Sequence, residues 1–233
     1  MIQRLHCGDC LNIMRDMDDK CVDLVITDPP FGIKNDAKKV NTRKSTPAKQ
    51  RNGTYLAVPE PMYANLEWDQ KIPEQEYFDE IFRVSKNQII FGGNYFPLPP
   101  SPCWIIWDKR NGGCDFADCE LAWTSFKSAV RIFRYKWNGM LQENMAHKEK
   151  RTHPAQKPLK LMEWCLQKYA KPGDLILDPF MGSGPVIEAC RKLGHSFIGI
   201  DIYPQYCEMA QARLDRVNNS KISDFGKLEC ETS

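Results

Sequence analysis

Short apolar runs alternate along this chain with stretches whose apolar positions recur every three or four residues. VDLVIT, NQIIFGG, CWIIWDK, LILDPF and SFIGIDI are brief, nearly continuous apolar segments, the pattern of strands buried on both faces. Ile2 to Cys7 is a shorter one, broken by Gly8-Asp9, while CELAWTSF and VRIFRYKW fit later strands or a hairpin. Between them lie CLNIMRDM, PEQEYFDEIFRVS, KPLKLMEWCLQKYAKPGD, GPVIEACRKLG and YPQYCEMAQARLDRV. Tyr77, Phe78, Ile81, Phe82 and Val84 form one helical face; Pro158 suits a helix start, and Pro172-Gly173 and Gly194 suit helix ends. Strands and helices alternating at these lengths predict an open, mostly parallel α/β sheet. Residues 33–65 show no periodicity and predict a long loop, and the tail from Asn218 reads as loose.

At 233 residues, 42% of them hydrophobic, the chain is expected to form a single domain with a sizeable core. No run approaches the length of a membrane span, and MIQRLHCGDC lacks the apolar core of a secretory signal, so a cytoplasmic protein is expected. Ten scattered cysteines then read as reduced core thiols. CGDC at 7–10 lacks the helix-opening context of a redox dithiol, and no second Cys/His pair has matching spacing, so no metal site is expected. Charge adds a clue that composition hides. Residues 34–51 hold seven Lys/Arg against one Asp, and residues 131–151 hold six against two Glu, leaving an acidic remainder within a net charge of +2. Two basic stretches on an acidic body point to a polyanion docking at defined places.

Two buried runs end in the same way, delivering a carboxylate into a proline turn. VDLVIT leads to Asp28-Pro29-Pro30-Phe31, and LIL leads to Asp178-Pro179-Phe180 and then to Gly182-Ser183-Gly184. The second is a strand, a Gly-containing turn and a helix, with a further acid, Asp201, after the next strand. Such a turn lets backbone approach a ligand, and the later acid suits ribose hydroxyls. The dinucleotide fingerprint G-x-G-x-x-G is absent, so a nucleoside cofactor of another kind is indicated.

DPPF at 28–31, HPAQKP at 153–158 and DPFMGSG at 178–184 together resemble the amino-group DNA methyltransferases, and their order resembles the beta group of that family. The resemblance covers about residues 2–32 and 66–217. It implies a Rossmann-like class I methyltransferase fold: a mixed seven-stranded sheet with helices on both faces and a circularly permuted motif order. The catalytic half would be 1–124, basic or recognition segments 33–65 and 125–152, the cofactor half 153–217, and the loose tail 218–233. S-adenosylmethionine is the implied cofactor. Asp178, Pro179, Phe180, Gly182, Ser183 and Gly184 would line its methionine end and adenosine. Asp201 would hold the ribose and Asp9 the adenine amino group; His153 and Lys157 would help with the methionine carboxylate.

The implied chemistry accounts for the first turn. An exocyclic amino nitrogen is a poor nucleophile because its lone pair is delocalised into the ring. Two rigid acceptors for its N–H groups, Asp28 and the Pro29 carbonyl, would turn it toward tetrahedral geometry. Pro29 and Pro30 limit backbone freedom, and Phe31 offers a flat face to a base removed from the stack. An Asp at the first catalytic position resembles adenine-N6 enzymes more often than cytosine-N4 enzymes, so site-specific N6 methylation of adenine in double-stranded DNA is the expected activity. Cytosine N4, RNA and an inactive DNA-binding protein of the same fold are the alternatives. Fewer than thirty residues, 125–152, stand where the family usually carries a sizeable recognition region. Either the recognised site is short, or the basic loop after DPPF supplies base contacts, or recognition is shared across a homodimer.

Overall fold

The structure, a computed structural model, describes residues 1–33, 69, 71–112, 117–138, 141–149 and 155–230. The basic segment 34–51 and His153 therefore lie outside the described residues. In chain order, β1 (Gln3–Cys7), α1 (Cys10–Arg15), β2 (Val22–Thr27), α2 (Gln75–Val84) and β3 (Ser85–Phe91) lead to a short 3-10 turn at Gly93–Tyr95. Then come β4 (Trp104–Asp108), β5 (Cys119–Thr124), β6 (Arg131–Arg134) and a small hairpin of β7 (Trp137–Asn138) with β8 (Leu141–Gln142). The chain continues through α3 (Leu159–Tyr169), β9 (Leu175–Asp178), α4 (Pro185–Leu193), β10 (Ser196–Asp201) and α5 (Pro204–Cys230).

Among the described residues the main sheet is mixed and has eight strands in the order β1-β10-β9-β2-β3-β5-β4-β6. The first five of these run parallel, β5 is antiparallel to both its neighbours, and β6 pairs parallel with β4. The expected seven strands are thus one too few. RIFR forms the extra strand, and it does not make a hairpin with β5, because β4 lies between them. Its position explains why its pattern is weak: β6 is an edge strand with mostly exposed side chains and an arginine at each end, a composition that discourages further pairing. The final helix also departs from expectation, running past Asn218 to Cys230. Among its described side chains the last buried one is Val217.

Strand alternation divides the core into two layers. Leu24 and Ile26 of β2 join Ile89 and Phe91 of β3 against Leu161, Met162 and Cys165 of α3 and Ile187 of α4. Val25 and Ile90 point the other way, toward Met14 of α1 and Phe78 and Ile81 of α2. Each such fully buried side chain stabilises by roughly 1.5–3 kcal/mol relative to exposure. Among the described residues no helix is long and apolar enough to cross a membrane.

From β9 the chain proceeds to β10 on one side of the sheet, and from β2 to β3 on the other. The join between β9 and β2 is therefore a topological switch point, where loops leaving the strand ends diverge and open a crevice.

Candidate active site

That crevice collects carboxylates. Asp28 follows β2, Asp178 ends β9, Asp201 ends β10 and Asp9 follows β1, and all four line one cavity of about 640 Å3. The four strands run parallel, so their carboxyl ends meet at one side of the sheet. The N-terminal turn is drawn in by a backbone bond: the Gly8 amide donates to the Asp201 carbonyl at 2.9 Å.

On the β9 side the acids are held by neutral donors. Asp178 is buried and accepts from the Thr27 hydroxyl at 2.9 Å, across the switch point, and from the Phe180 amide at 3.2 Å. Burial pushes its carboxyl up to about 8, despite the Thr27 and Phe180 donors. Asp201 accepts from the Gly182 amide and the Tyr203 amide, both at 2.9 Å, and burial pushes it up to about 6. Each carboxylate oxygen can accept more than one donor, so Asp201 retains capacity for ligand hydroxyls. Asp9 caps α1 by accepting from the Leu11 amide at 3.0 Å, and its other oxygen accepts from the Tyr77 hydroxyl at 3.3 Å.

Gly184 sets the approach of α4. Its φ is +79°, and a Cβ there would stand 2.8 Å from the Cβ of Ala210 on α5, so only glycine allows the helices to pack this closely. Above Gly182, by contrast, a Cβ would meet nothing within 4 Å. Pro179, Phe180, Gly182 and Ser183 line the cavity, whereas Gly184 stands behind it.

On the β2 side the carboxylate is held by a charge. Asp28 falls on the same face as Leu24 and Ile26, the face that α3 covers. Lys157, just before α3, lies 2.5 Å from Asp28 Oδ2 and 3.1 Å from Glu120 Oε2. Its side chain is only 5% exposed, and its ammonium lies over the Phe31 and Phe91 rings at 5.5 and 5.6 Å. Burial pushes Lys157 down, but Asp28 and Glu120 outweigh it and hold the ammonium above its ordinary range. Burial likewise leaves Asp28 above the usual carboxylate range, against the pull of Lys157. Asp28 Oδ1 is buried with no hydrogen-bond partner among the described residues, an unusual condition for a carboxylate oxygen and a costly one. Pro30 lines the cavity, and Pro29 and Phe31 flank it. Phe31 stacks on Tyr95 with centroids 4.9 Å apart and planes 13° apart. Its ring presses on Gly92, where a Cβ would stand 2.1 Å from it.

Several residues of the site escaped the sequence reading. Tyr77 was assigned to an apolar helix face, yet it lines the cavity and contacts Asp9. Gln156, within HPAQKP, is buried in the wall beside Ser183, with its side-chain oxygen 3.5 Å from the hydroxyl. Tyr95 follows the Gly-Gly after β3, and that glycine pair was the one available signal of a close approach. Glu120 had no signal at all, sitting in a strand read only for its apolar residues. Cys10 is buried, and burial pushes its thiol up to about 12, which makes it a poor nucleophile.

These features fit an S-adenosylmethionine-sized ligand: a cavity of sufficient volume, open space over Gly182, ribose-binding capacity at Asp201 and an aromatic wall at Phe180 and Tyr77. Among the described residues no cluster of His, Cys, Asp and Glu is arranged to hold a metal ion.

Known proteins point the same way. The sequence profile of a DNA methylase family, covering N6 and N4 enzymes, matches residues 97–212. Type II methyltransferase M.HpaI of Haemophilus parainfluenzae is 28% identical over 98% of this chain and 78% of its own length. The crystal structure of the M1.HpyAVI–SAM complex superposes with a TM-score of 0.55 at 24% identity, covering 92% of this chain and 99% of that one. The cytosine-N4-specific PvuII DNA methyltransferase superposes with a TM-score of 0.56 at 16% identity, covering 90% and 85% of the two chains. The matched profile and the relative are thus both of DNA methyltransferases, and the two solved structures share this chain's fold.

Proposed function

We propose that this protein transfers a methyl group from S-adenosylmethionine to the N6 amino group of adenine in double-stranded DNA, at a short defined site. The observation that carries the reading is the lining of one cavity by Asp28 together with Asp178 and Asp201, an acceptor for an amine beside acids suited to a nucleoside. When bound, the cofactor supplies a methyl group already activated on a sulfonium, so no metal is needed.

The chain's own residues then have separable tasks. Asp201 accepts from ribose hydroxyls, and Asp9 with Tyr77 borders the adenine end. Pro179, Phe180, Gly182 and Ser183 shape the wall between, with Gly184 setting the helix behind them, and His153 belongs to the same cofactor half. Asp28 accepts one N–H of the target amino group and the Pro29 carbonyl the other, which turns the nitrogen lone pair away from the ring and toward the methyl. Phe31, backed by Gly92 and stacked on Tyr95, offers its ring to an extruded base. The basic stretches 34–51 and 131–151 hold the phosphate backbone. A restriction-modification setting in the cytoplasm is consistent with the named relatives, and a second copy of the chain is a candidate for shared site recognition.

The test is direct. The protein is incubated with S-adenosylmethionine and unmethylated duplex DNA, and the product is digested to nucleosides and identified by mass spectrometry. N6-methyldeoxyadenosine is expected. N4-methyldeoxycytidine would keep the amine chemistry and overturn the choice of base. No methylated nucleoside, with cofactor binding intact, would refute the reading.

A further inference from the structure

The roles above leave unused a carboxylate that pairs with Lys157. Glu120 lies on β5, in register with Trp107 of β4. It is on the same side of the strand as Ala122, a core residue of the layer that α3 covers. Its side chain is a quarter exposed and forms ion pairs with Lys109 and with Lys157, the latter at 3.1 Å. Glu120 does not line the cavity, so it does not touch a ligand there. Burial pushes its carboxyl up, but Lys157 and Lys109 outweigh that and hold it below the usual range. Asp28, Lys157, Glu120 and Lys109 thus form a chain of alternating charges that cancel, leading away from the cavity wall, with Asp178 as the further acid beside Asp28.

We propose that Glu120 is a positioning residue for methyl transfer, holding Lys157 between two carboxylates so that its ammonium can shift toward Glu120 as a target amino group donates to Asp28. The inference rests on Asp28 being the amine acceptor. An ammonium bound to Asp28 alone would compete with the incoming N–H groups for the same acceptor. Nor could it withdraw, since a buried ammonium without a partner is strongly unfavourable. Glu120 removes that obstacle by offering a second carboxylate already within ion-pair distance, and Lys109 anchors Glu120 in its charged form.

The experiment is steady-state kinetics of Glu120→Gln in the full chain, with kcat followed against pH and thermal stability measured alongside. A merely structural Glu120 would move stability and leave the pH profile alone. The inference expects kcat to fall by about tenfold or more with KM for S-adenosylmethionine within about twofold of the original. It also expects the acidic limb of the kcat profile to move to lower pH, because the negative charge of Glu120 helps hold Asp28 protonated. Lys109→Met provides a second reading should the first variant not fold. It leaves Glu120 charged but unanchored, and it should lower kcat less and move the same limb to higher pH. Unchanged kcat and unchanged limbs in either folded variant would overturn the inference alone. Failure of the unaltered protein to methylate DNA would overturn the reading beneath it as well.

Discussion

The Asp-Pro turns after β2 and β9 lie on neighbouring strands, at the same end of the sheet and in the wall of the same cavity. In sequence they are near copies, DPPF and DPFM. Their carboxylates nonetheless live in different environments. Asp178 is held by a hydroxyl and a backbone amide, neutral donors that barely oppose the cost of burying charge. Asp28 is held by a buried ammonium on one oxygen, while the other has no hydrogen-bond partner among the described residues. The first turn is also packed tightly, with Phe31 wedged between Tyr95 and Gly92, whereas the second is open over Gly182. An acid's role is therefore set by what faces it across the crevice, and the same dipeptide can serve as an acceptor for a reacting amine or as part of a cofactor wall.

The comparison breaks first at Asp28. Asp28→Ala is expected to lower methyl transfer by about 10²–10³-fold or more, the scale seen when one preorganised hydrogen-bonding group is removed from a reacting centre. S-adenosylmethionine binding, measured by calorimetry, should change little, because the β9 and β10 acids remain. Retained turnover would refute Asp28 as the amine acceptor. Lost cofactor binding would instead show that the two turns do not divide the work as described.

Asp178 gives a smaller effect with the opposite sense for stability. Its carboxyl is raised from 3.8 to about 8 in the folded protein, so folding favours its protonated form. The stability it contributes is full below its ordinary pKa and is lost as pH rises through about 8. Asp178→Asn cannot ionise, and its amide oxygen can still accept from Thr27 and Phe180. In the cofactor-free protein the variant should therefore melt higher than the original at pH 8, by a few degrees, at about 2–4 °C per kcal/mol for a chain of this size. The gain should shrink toward pH 4, and a gain independent of pH would contradict this account. Cofactor affinity should fall several-fold, the cost of roughly one hydrogen bond between uncharged partners.

Periodicity and turn chemistry made most of the sheet legible, because buried parallel strands leave continuous apolar runs and Gly-Pro punctuation. What they could not mark was that β6 pairs with β4 rather than forming a hairpin with β5, or that α5 runs on past Asn218. At the site, the residues on the two turns were readable because strand ends must deliver them to the crevice. Lys157 was readable as a site residue but not as the partner of Asp28, since the contact spans 129 positions of sequence. Glu120 was invisible, and Tyr95 marked only by the glycine pair before it, for a related reason. Each matters only through a neighbour brought close by the sheet, and strand periodicity says which face a residue takes without saying which charge or ring it will meet there.

The smallest effects should separate the two turns most finely. Gly92 and Gly182 both have positive φ, +67° and +51°, so alanine at either costs roughly 1 kcal/mol in backbone strain. Beyond that shared cost their surroundings differ. A methyl at Gly92 collides with the Phe31 ring, which must move off Tyr95, whereas a methyl at Gly182 enters the open space assigned to the cofactor. Gly92→Ala should therefore raise KM for DNA several-fold, by roughly the 0.5–1.5 kcal/mol of a disturbed aromatic contact, with KM for S-adenosylmethionine unchanged. Gly182→Ala should do the reverse, weakening the cofactor several-fold while leaving KM for DNA alone. A crossed result, with Gly92 governing the cofactor or Gly182 the DNA, would mean that the cavity holds its two ligands the other way round. Equal effects of both variants on both constants would mean that the turns act as one unit, and that the contrast between a closed and an open turn has no kinetic consequence.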